Sequence, residues 1–560
     1  MGAPPIRTRQ TKQHGPRHAR FSVAVPPGRL RSLPLGRLCC IVAPLLLAGC
    51  MVGPNFRAPS APAVSGYTVE TRLRPAMATD IVGGAPQNFV DTLDVGGQWW
   101  REFNAPQINA FVEEAVRNHP DVRAAQYALR AARETALQVR GQWVPQVSGN
   151  VSATREQITA ASGGTTGKPT LYNLYETTVN VSYTLDVFGG IRRQVESAEA
   201  QAQYQRFEME ATYLALTANV VTSAVTDASL RAQIAATQAI VTAETDQLRR
   251  VQRQFEVGAV SQVDVLAQQA TLAQTQATLP PLQKQLAQGR NQLMAYLGRL
   301  PSEDRGESVD LRSLRLPRTL PVSLPGQLVR QRPDIRLAEA TLHQAAATVG
   351  VNTANLLPQF TLTPSVSSQA LTVGQLFTPQ GLAWTAAASI AQTLMDGAQL
   401  YRTKEASVAA FEQDYALYQS TVLTAFQNVA DALRAVQYDA ATLRAQALAE
   451  QSALDSLKMA QEQFKVGAIG YAIVIDAQQT YQNAVIARIQ TQAMRYNDTV
   501  ALFQALGGGW WNRIDETSDA AIRNGGYLEG PDGPALAATR PGLPDLPPTP
   551  EPGTAKEKSR

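Results

Sequence analysis

Cysteine is nearly absent from this chain, and its placement excludes most of its chemistry. Cys39, Cys40 and Cys50 are the only three, all within the first fifty residues. Everything after them lacks both a disulfide and a thiol nucleophile. Histidine is as scarce, since only His119 and His343 of the four lie beyond residue 49. Each falls on a helical stretch in a different half of the chain and reads as a packing or surface residue, so no His/Cys metal site is expected. No G-x-S-x-G, H-E-x-x-H, Walker loop or dinucleotide fingerprint occurs. The expectation is a protein with no catalytic residues, no metal and no cofactor. Glycine and proline are missing from two long windows, 191–257 and 398–466, of 67 and 69 residues. The apolar run at 38–49, LCCIVAPLLLAG, is twelve residues long, too short for a helix that spans a bilayer.

That run has another use. Residues 1–37 carry eight Lys or Arg and no acidic residue, and Leu47-Ala48-Gly49 precede Cys50. A basic region, a short apolar core and small residues before a cut describe a secretory signal. LLLAGC resembles the bacterial lipobox, which implies cleavage before Cys50 and covalent diacylglycerol and N-acyl lipid on that residue. Met51 follows it rather than Asp, which by analogy with lipoprotein sorting points to the outer membrane. The basic region is long and Pro/Arg-rich, so the expected start lies downstream of Met1. Without the signal, 42 of the 50 basic residues remain against 46 acidic ones. The pI near 8.9 therefore belongs mostly to the signal and is no nucleic-acid signature.

The chain says one thing twice. QFEVGAVSQ at 254–262 returns as QFKVGAIGY at 463–471, and HPDVRAA at 119–125 returns as RPDIRLA at 332–338. The Pro-Gln steps at Pro145 and Pro358 and the Leu-Gly ends at Leu297 and Leu506 repeat likewise. A period this long indicates an internal duplication rather than a solenoid. By length alone about three or four domains would be expected. The repeats instead divide the chain into a signal (1–49), a lipidated extended segment (50–97), a first repeat (98–298), a linker (299–321), a second repeat (322–511) and a Pro/Gly-rich tail (512–560), expected to be disordered.

Each repeat reads as helix, strand hairpin, very long helix, turn, helix. At 1.5 Å per residue, each glycine-free window makes a helix roughly 100 Å long. Apolar residues recur every seven: Ile234, Val241, Leu248 and Phe255, then Val429, Val436, Leu443, Leu457 and Phe464, with Glu450 interrupting. This is a coiled-coil seam. The returning helix keeps the seam at Val265, Leu272 and Leu279 until Pro280–Pro281, which are expected to disturb it. Gly258 and Gly467 suit left-handed positions at the bends, and Ser261 and Asp264 have capping-box spacing.

The strands alternate. Val179, Val181, Tyr183, Leu185 and Val187 interleave with Thr178, Asn180, Ser182, Thr184 and Asp186, as when one face meets lipid and the other water. This strand pairs with 146–156 across the loop 161–168. FTLTPSVSS and AWTAAASIAQTL form the second hairpin. Trp143, Tyr172, Tyr175 and Phe188 suit interfacial belts. An open sheet edge is not tolerated in hydrocarbon, so four strands per chain require an oligomer that shares one barrel.

From Cys50 to about Trp511 the chain resembles the TolC-like outer membrane efflux factors, in particular the lipoprotein subgroup serving resistance-nodulation-division pumps. The resemblance rests on the lipobox with GPNFRAP, the paired PDVRAA/PDIRLA and VPQ/LPQ segments, LDVFGG, the two VGA bends and ALGGGWW. It implies a mainly α fold with a membrane β section: a homotrimer with one 12-stranded β-barrel, four strands per chain, continued by a 12-helix periplasmic α-barrel whose shorter helices stack end on end. The implied function is a passive, gated exit duct for drugs or other small toxic compounds in the outer membrane of a Gram-negative bacterium, extending into the periplasm. Its partners would be a periplasmic membrane-fusion adaptor, an inner-membrane resistance-nodulation-division transporter and outer membrane lipid.

The resemblance also assigns roles at the bends. Asp476 matches the constricting aspartate of the gate, with Ala472, Gln479 and Ile469 at neighbouring gate positions. Val257, Gly258, Ala259, Ser261, Val466, Gly467, Ala468 and Gly470 form the tips for adaptor contact. A trimer would repeat Asp476 around an axis as a cation-preferring ring; a solvated surface carboxylate is the plainer alternative. Ala472 replaces a constricting leucine and Gln479 a common basic residue, implying a gate with fewer salt links. Asp264 matches a locking residue whose arginine partner is missing, so capping is its expected role. Two other functions stay open: the duct of an ATP-driven exporter or type I protein secretion system, and a non-conducting structural lipoprotein.

Overall fold

The structure is a computed structural model that describes residues 51–513 apart from 69, 71–74, 77, 92 and 160–168. Cys50–Arg560 clusters as one unit and Met1–Gly49 as another. The signal, Cys50, the loop 161–168 and the tail from 514 lie outside the described residues.

The first repeat holds β1 (Asn88–Val90), α1 (Pro106–Asn118), α2 (Pro120–Arg140), β2 (Gln146–Ile158), β3 (Thr170–Leu185), α3 (Gly190–Glu256) and α4 (Gln262–Tyr296). The second holds β4 (Thr319–Pro321), α5 (Pro325–Gln331), α6 (Pro333–Ala354), β5 (Gln359–Leu362), β6 (Ser365–Ala370), β7 (Leu382–Thr385), β8 (Ala388–Ala391), α7 (Gln399–Lys465) and α8 (Tyr471–Ala505). Both long helices are 67 residues, and each begins and ends within a residue or so of the glycine-free windows. Glycine and proline set their limits because each costs a helix interior more than other residues do.

The long helices anchor the shorter ones: α3 packs against α6, α4, α2, α8 and α1, and α7 against α8 and α6. The shorter helices meet end on end, and glycine makes this possible. A methyl on Gly298 would lie 2.9 Å from the carbonyl oxygen of Asn118, at the end of α1 just before α2. One on Gly507 would lie 3.0 Å from the carbonyl oxygen of Gln331, just before α6. Arg332 ties the second junction further, donating to the carbonyls of Ala505 (2.9 Å) and Ala425 (3.3 Å) while pairing with Asp334. His119 plays the cap in the first repeat: it precedes α2 rather than lying within it, and its Nδ1 accepts from the Asp121 N–H at 3.2 Å.

One expectation about the helices is corrected. Pro280 and Pro281 do not disturb the returning helix, since α4 runs through them to Tyr296. Both are exposed, as are Gln276 and Ala277, whose carbonyls lose their i+4 donors and can turn to water instead. Glu450 does interrupt the apolar seam, and there it pairs with Arg488 of α8.

The sheet contains four antiparallel lines of strand in the order β2, β3, β5/β6, β7/β8. The third line is interrupted at Thr363–Pro364, and the fourth at Ala386–Ala387. Register sorts its residues by face. Val147 lies opposite Val181, Val179 opposite Val366, Val366 opposite Trp384, and Phe360 opposite Ile390. The other face carries Ser148 with Asn180, Ser152 with Glu176 and Glu176 with Gln369. The apolar face is bare in one protomer: Val151 is 76% and Trp384 75% exposed. Tyr172 is not on that face as a membrane belt would require; its parity puts it on the polar one, where its hydroxyl donates to Glu156 at 3.0 Å.

The core sits at the waist, where β1 and β4 pair in parallel. Trp99 stacks on Phe503 of α8 at 5.4 Å, and the Tyr496 hydroxyl donates to the Leu314 carbonyl at 2.8 Å. Val220, Val221, Ala224 and Val225 bring the middle of α3 into the same cluster.

Both long helices start from a left-handed N-cap, Gly189 at φ 78° and Ala398 at φ 68°. A side chain there costs about 1–2 kcal/mol. Ala398→Gly is therefore expected to raise the thermal midpoint of the helical circular-dichroism signal in detergent.

Candidate functional site

The two bends share one geometry. Gly258 (φ 77°) and Gly467 (φ 75°) adopt the left-handed conformation. Gly258 N–H donates to Phe255 and Ala259 N–H to Gln254; Gly467 and Ala468 repeat this with Phe464 and Gln463. These bonds satisfy the last carbonyls of α3 and α7. Val257 and Val466 project into solvent, each 79% exposed, and Gly258, Ala259, Gly467 and Ala468 are exposed beside them.

The exits differ. Ser261 caps α4: its Oγ accepts from Asp264 N–H at 3.3 Å and donates to Asp264 Oδ2 at 2.7 Å, while Ser261 N–H donates to the same carboxylate at 2.9 Å. Asp264 thus serves as a cap. In the second bend Gly470 takes the N-cap position, and no side chain caps α8.

The two tips pack on each other. Val251 and Val265 of the first hairpin join Leu457, Ala460, Tyr471 and Val474 of the second in a small core. Ile469 packs partly buried against it. Tyr471 is 2% exposed, lies 5.0 Å from Phe464, and donates to Gln268 Oε1 at 2.6 Å. Its burial pushes its hydroxyl up to about 12. Ala472 and Asp476 share one exposed face of α8, with Gln479 half-buried on its flank. Among the described residues no salt bridge reaches Asp476.

Sequence reasoning missed Tyr471 and Gln268, although the repeat contained the signal: Tyr471 stands where the first copy has Gln262. It missed Glu244 too, fully buried on α3. Leu230, Thr237, Glu244 and Val251, spaced by seven and all buried, form a second seam line that would have exposed it.

At the opposite end, the segment after Cys50 is fastened where sheet becomes helix. Val52 N–H donates to the Phe188 carbonyl at 3.1 Å. Arg193, fully buried, donates to the carbonyls of Val52 (3.1 Å) and Gly53 (3.2 Å) and to Asn55 Oδ1 (2.8 Å). A methyl on Gly350 would collide with that arginine, 2.7 Å from its Cδ. Phe56 stacks on His343 at 4.4 Å, and His343 contacts Glu196 at 3.0 Å. His343 therefore packs, as its helical placement implied.

Among the described residues no group of three or more His, Cys, Asp or Glu could hold a metal ion, and no helix is long and apolar enough to cross a membrane. The spanning element is the sheet. One apolar face, one polar face and two 67-residue helices define a subunit of a barrel-and-tunnel membrane channel. The outer membrane efflux protein family matches residues 111–299 and 324–508, and the chain belongs to that family. It is 26% identical over 486 residues to the antibiotic efflux pump outer membrane protein ArpC of Pseudomonas putida, covering 86% of this chain and 98% of that one. The pyoverdine export outer membrane protein OpmQ of Pseudomonas putida is 26% identical over 418 residues, covering 74% and 88%. The solved outer-membrane channel OprN superposes with a TM-score of 0.74 at 25% identity, covering 82% of this chain and all of OprN. The chain is thus an outer membrane efflux channel protein of the TolC-like type.

Replacing Ser261 by Ala removes the cap of α4 at a cost of about 1 kcal/mol. Amide exchange at 262–265 should accelerate roughly fivefold, with the waist unchanged, as read by hydrogen-exchange mass spectrometry.

Proposed function

We propose that three copies of this chain close one 12-stranded barrel and form the exit duct of a tripartite efflux pump. The observation that carries this is the four-line sheet with one apolar face and two unpaired edges, β2 and β7/β8. Neither edge is tolerable in hydrocarbon, and a head-to-tail ring of identical sheets pairs every edge. Twelve helical lines from three protomers, each end-on-end pair of short helices counted as one, then continue the wall as a tunnel. The solvent-facing Val257 and Val466 suit contact with a periplasmic adaptor, itself joined to a resistance-nodulation-division transporter. Lipid on Cys50 fits the fastening of Val52 and Gly53 at the base of the sheet. The cargo class is small organic compounds, in keeping with the names of ArpC and OpmQ. Asp476, exposed on α8, would form the acidic ring of the gate.

Native mass spectrometry of the detergent-solubilised protein should give a trimer, and planar bilayers should show conductance. Asp476→Ala should raise that conductance and bring the cation-to-anion permeability ratio toward one. A folded monomer without conductance in either form would overturn the proposal. Co-purification with a pump adaptor, rather than an ATP-driven exporter, identifies the assembly. Cys50→Ser should abolish incorporation of radiolabelled palmitate.

A further inference from the structure

Polar contacts cross from the first hairpin to α8 at three levels. Nearest the tip, Tyr471 donates to Gln268. Nearest the waist, Gln490 donates to Gln233 at 3.1 Å. Between them lies Glu244 of α3, whose Oε1 accepts from the Thr275 hydroxyl of α4 at 3.0 Å and from the Gln482 amide of α8. Its other oxygen, Oε2, has no partner and is buried. Thr275 and Gln482 also line a cavity of about 620 Å³ between α3, α4 and α8, large enough for water to reach the cluster.

Of these three links, the middle one alone contains a carboxyl group. Among the described residues no cation pairs with it. On α3, Arg249 pairs with Asp246, and Arg250 donates to Gln247. Asp264 of α4 is held in its cap. On α8, Arg488 pairs with Glu450 of α7, and Tyr471 is spent on Gln268. The side chains around the Glu244 carboxyl are neutral: Thr275, Gln478 and Gln482.

We propose that Glu244 is a proton-operated latch between the two hairpins of one protomer. Neutral, it seats α8 against α3 and α4; ionised, it favours their separation. A carboxylate buried without a counter-charge is costly, whereas the neutral acid is not. Burial holds its carboxyl above the usual carboxylate range, partly offset by the neutral donors around it. With the hairpins apart the group returns to water and to an ordinary value near ~4.3. The closed arrangement therefore binds more protons. Its extra stability is full below that ordinary value and is lost as pH rises toward the buried one. Only the consequence for opening rests on the channel reading; the latch itself does not.

The test is hydrogen-exchange mass spectrometry on the full-length protein in detergent from pH 5 to pH 8. It compares segment 474–486 in wild type and Glu244→Gln at each pH, so that intrinsic exchange chemistry cancels. Wild type should lose protection relative to the variant as pH rises, by up to about tenfold for each pH unit separating the two carboxyl states. Thr275→Val removes a donor to the anion and should move the midpoint to higher pH, which a merely structural role would not do. A ratio that stays constant with pH overturns the latch, as does an unmoved midpoint in Thr275→Val. If the glutamine variant does not fold, wild type against Thr275→Val decides alone. Absence of conductance in wild type would count against the channel and leave the exchange result standing.

Discussion

A strand edge cannot be left open in hydrocarbon, and most of this molecule follows from that. Four lines of strand present an apolar face running from Val147 through Val366 to Trp384. Such a face needs lipid, and lipid offers no partner to an unpaired N–H or C=O. The sheet is therefore incomplete as a monomer. The same deficit explains why long helices remain bare: Leu423 on α7 is 73% exposed and Leu448 68%, apolar surface that one protomer leaves uncovered. Oligomerisation meets both needs with one symmetry operation.

Within a protomer, precision comes from a few close approaches rather than from a large core. Arg193 reaches the segment after Cys50 only because Gly350 has no side chain. The short helices abut only because Gly298 and Gly507 let backbone meet backbone. Fixing these junctions fixes how far each hairpin extends. The tips, more than sixty residues along α3 and α7, inherit their alignment from contacts made near the sheet and waist. Stability concentrates where Trp99, Phe103 and Tyr496 meet, leaving a far smaller cluster to join the tips.

Glycine and proline made the helices legible, since α3 and α7 occupy almost the whole of the windows from which both are missing. Strand faces were legible from alternation, because register preserves parity across the interruptions at Pro364 and Ala386–Ala387. Where residue type was used without parity, it misled: Tyr172 is aromatic but faces the polar side. Pro280–Pro281 misled for a related reason. A helix tolerates them on its exposed side, and exposure is set by partners that no local pattern names. The bends were legible as bends, and Ser261 with Asp264 as a cap. The buried Tyr471 and Glu244 were not, because each is polar by composition and interior only through contacts between hairpins.

Duplication does not leave two equivalent hairpins. The first returning helix begins from a closed capping box at Ser261 and Asp264. The second begins at Gly470 with no side-chain cap, and Gly470 also gives up more backbone entropy on ordering than other residues would. In compensation Tyr471 is buried against the first hairpin. The start of α4 is thus held by its own residues, whereas the start of α8 is held mainly by contact with its neighbour. If that contact loosens, α8 loses more than α4 does. The element bearing Asp476 is then the one free to move, and it moves against a hairpin whose own cap is unaffected. In the gate proposed at these tips, that difference lets one half move while the other holds its form.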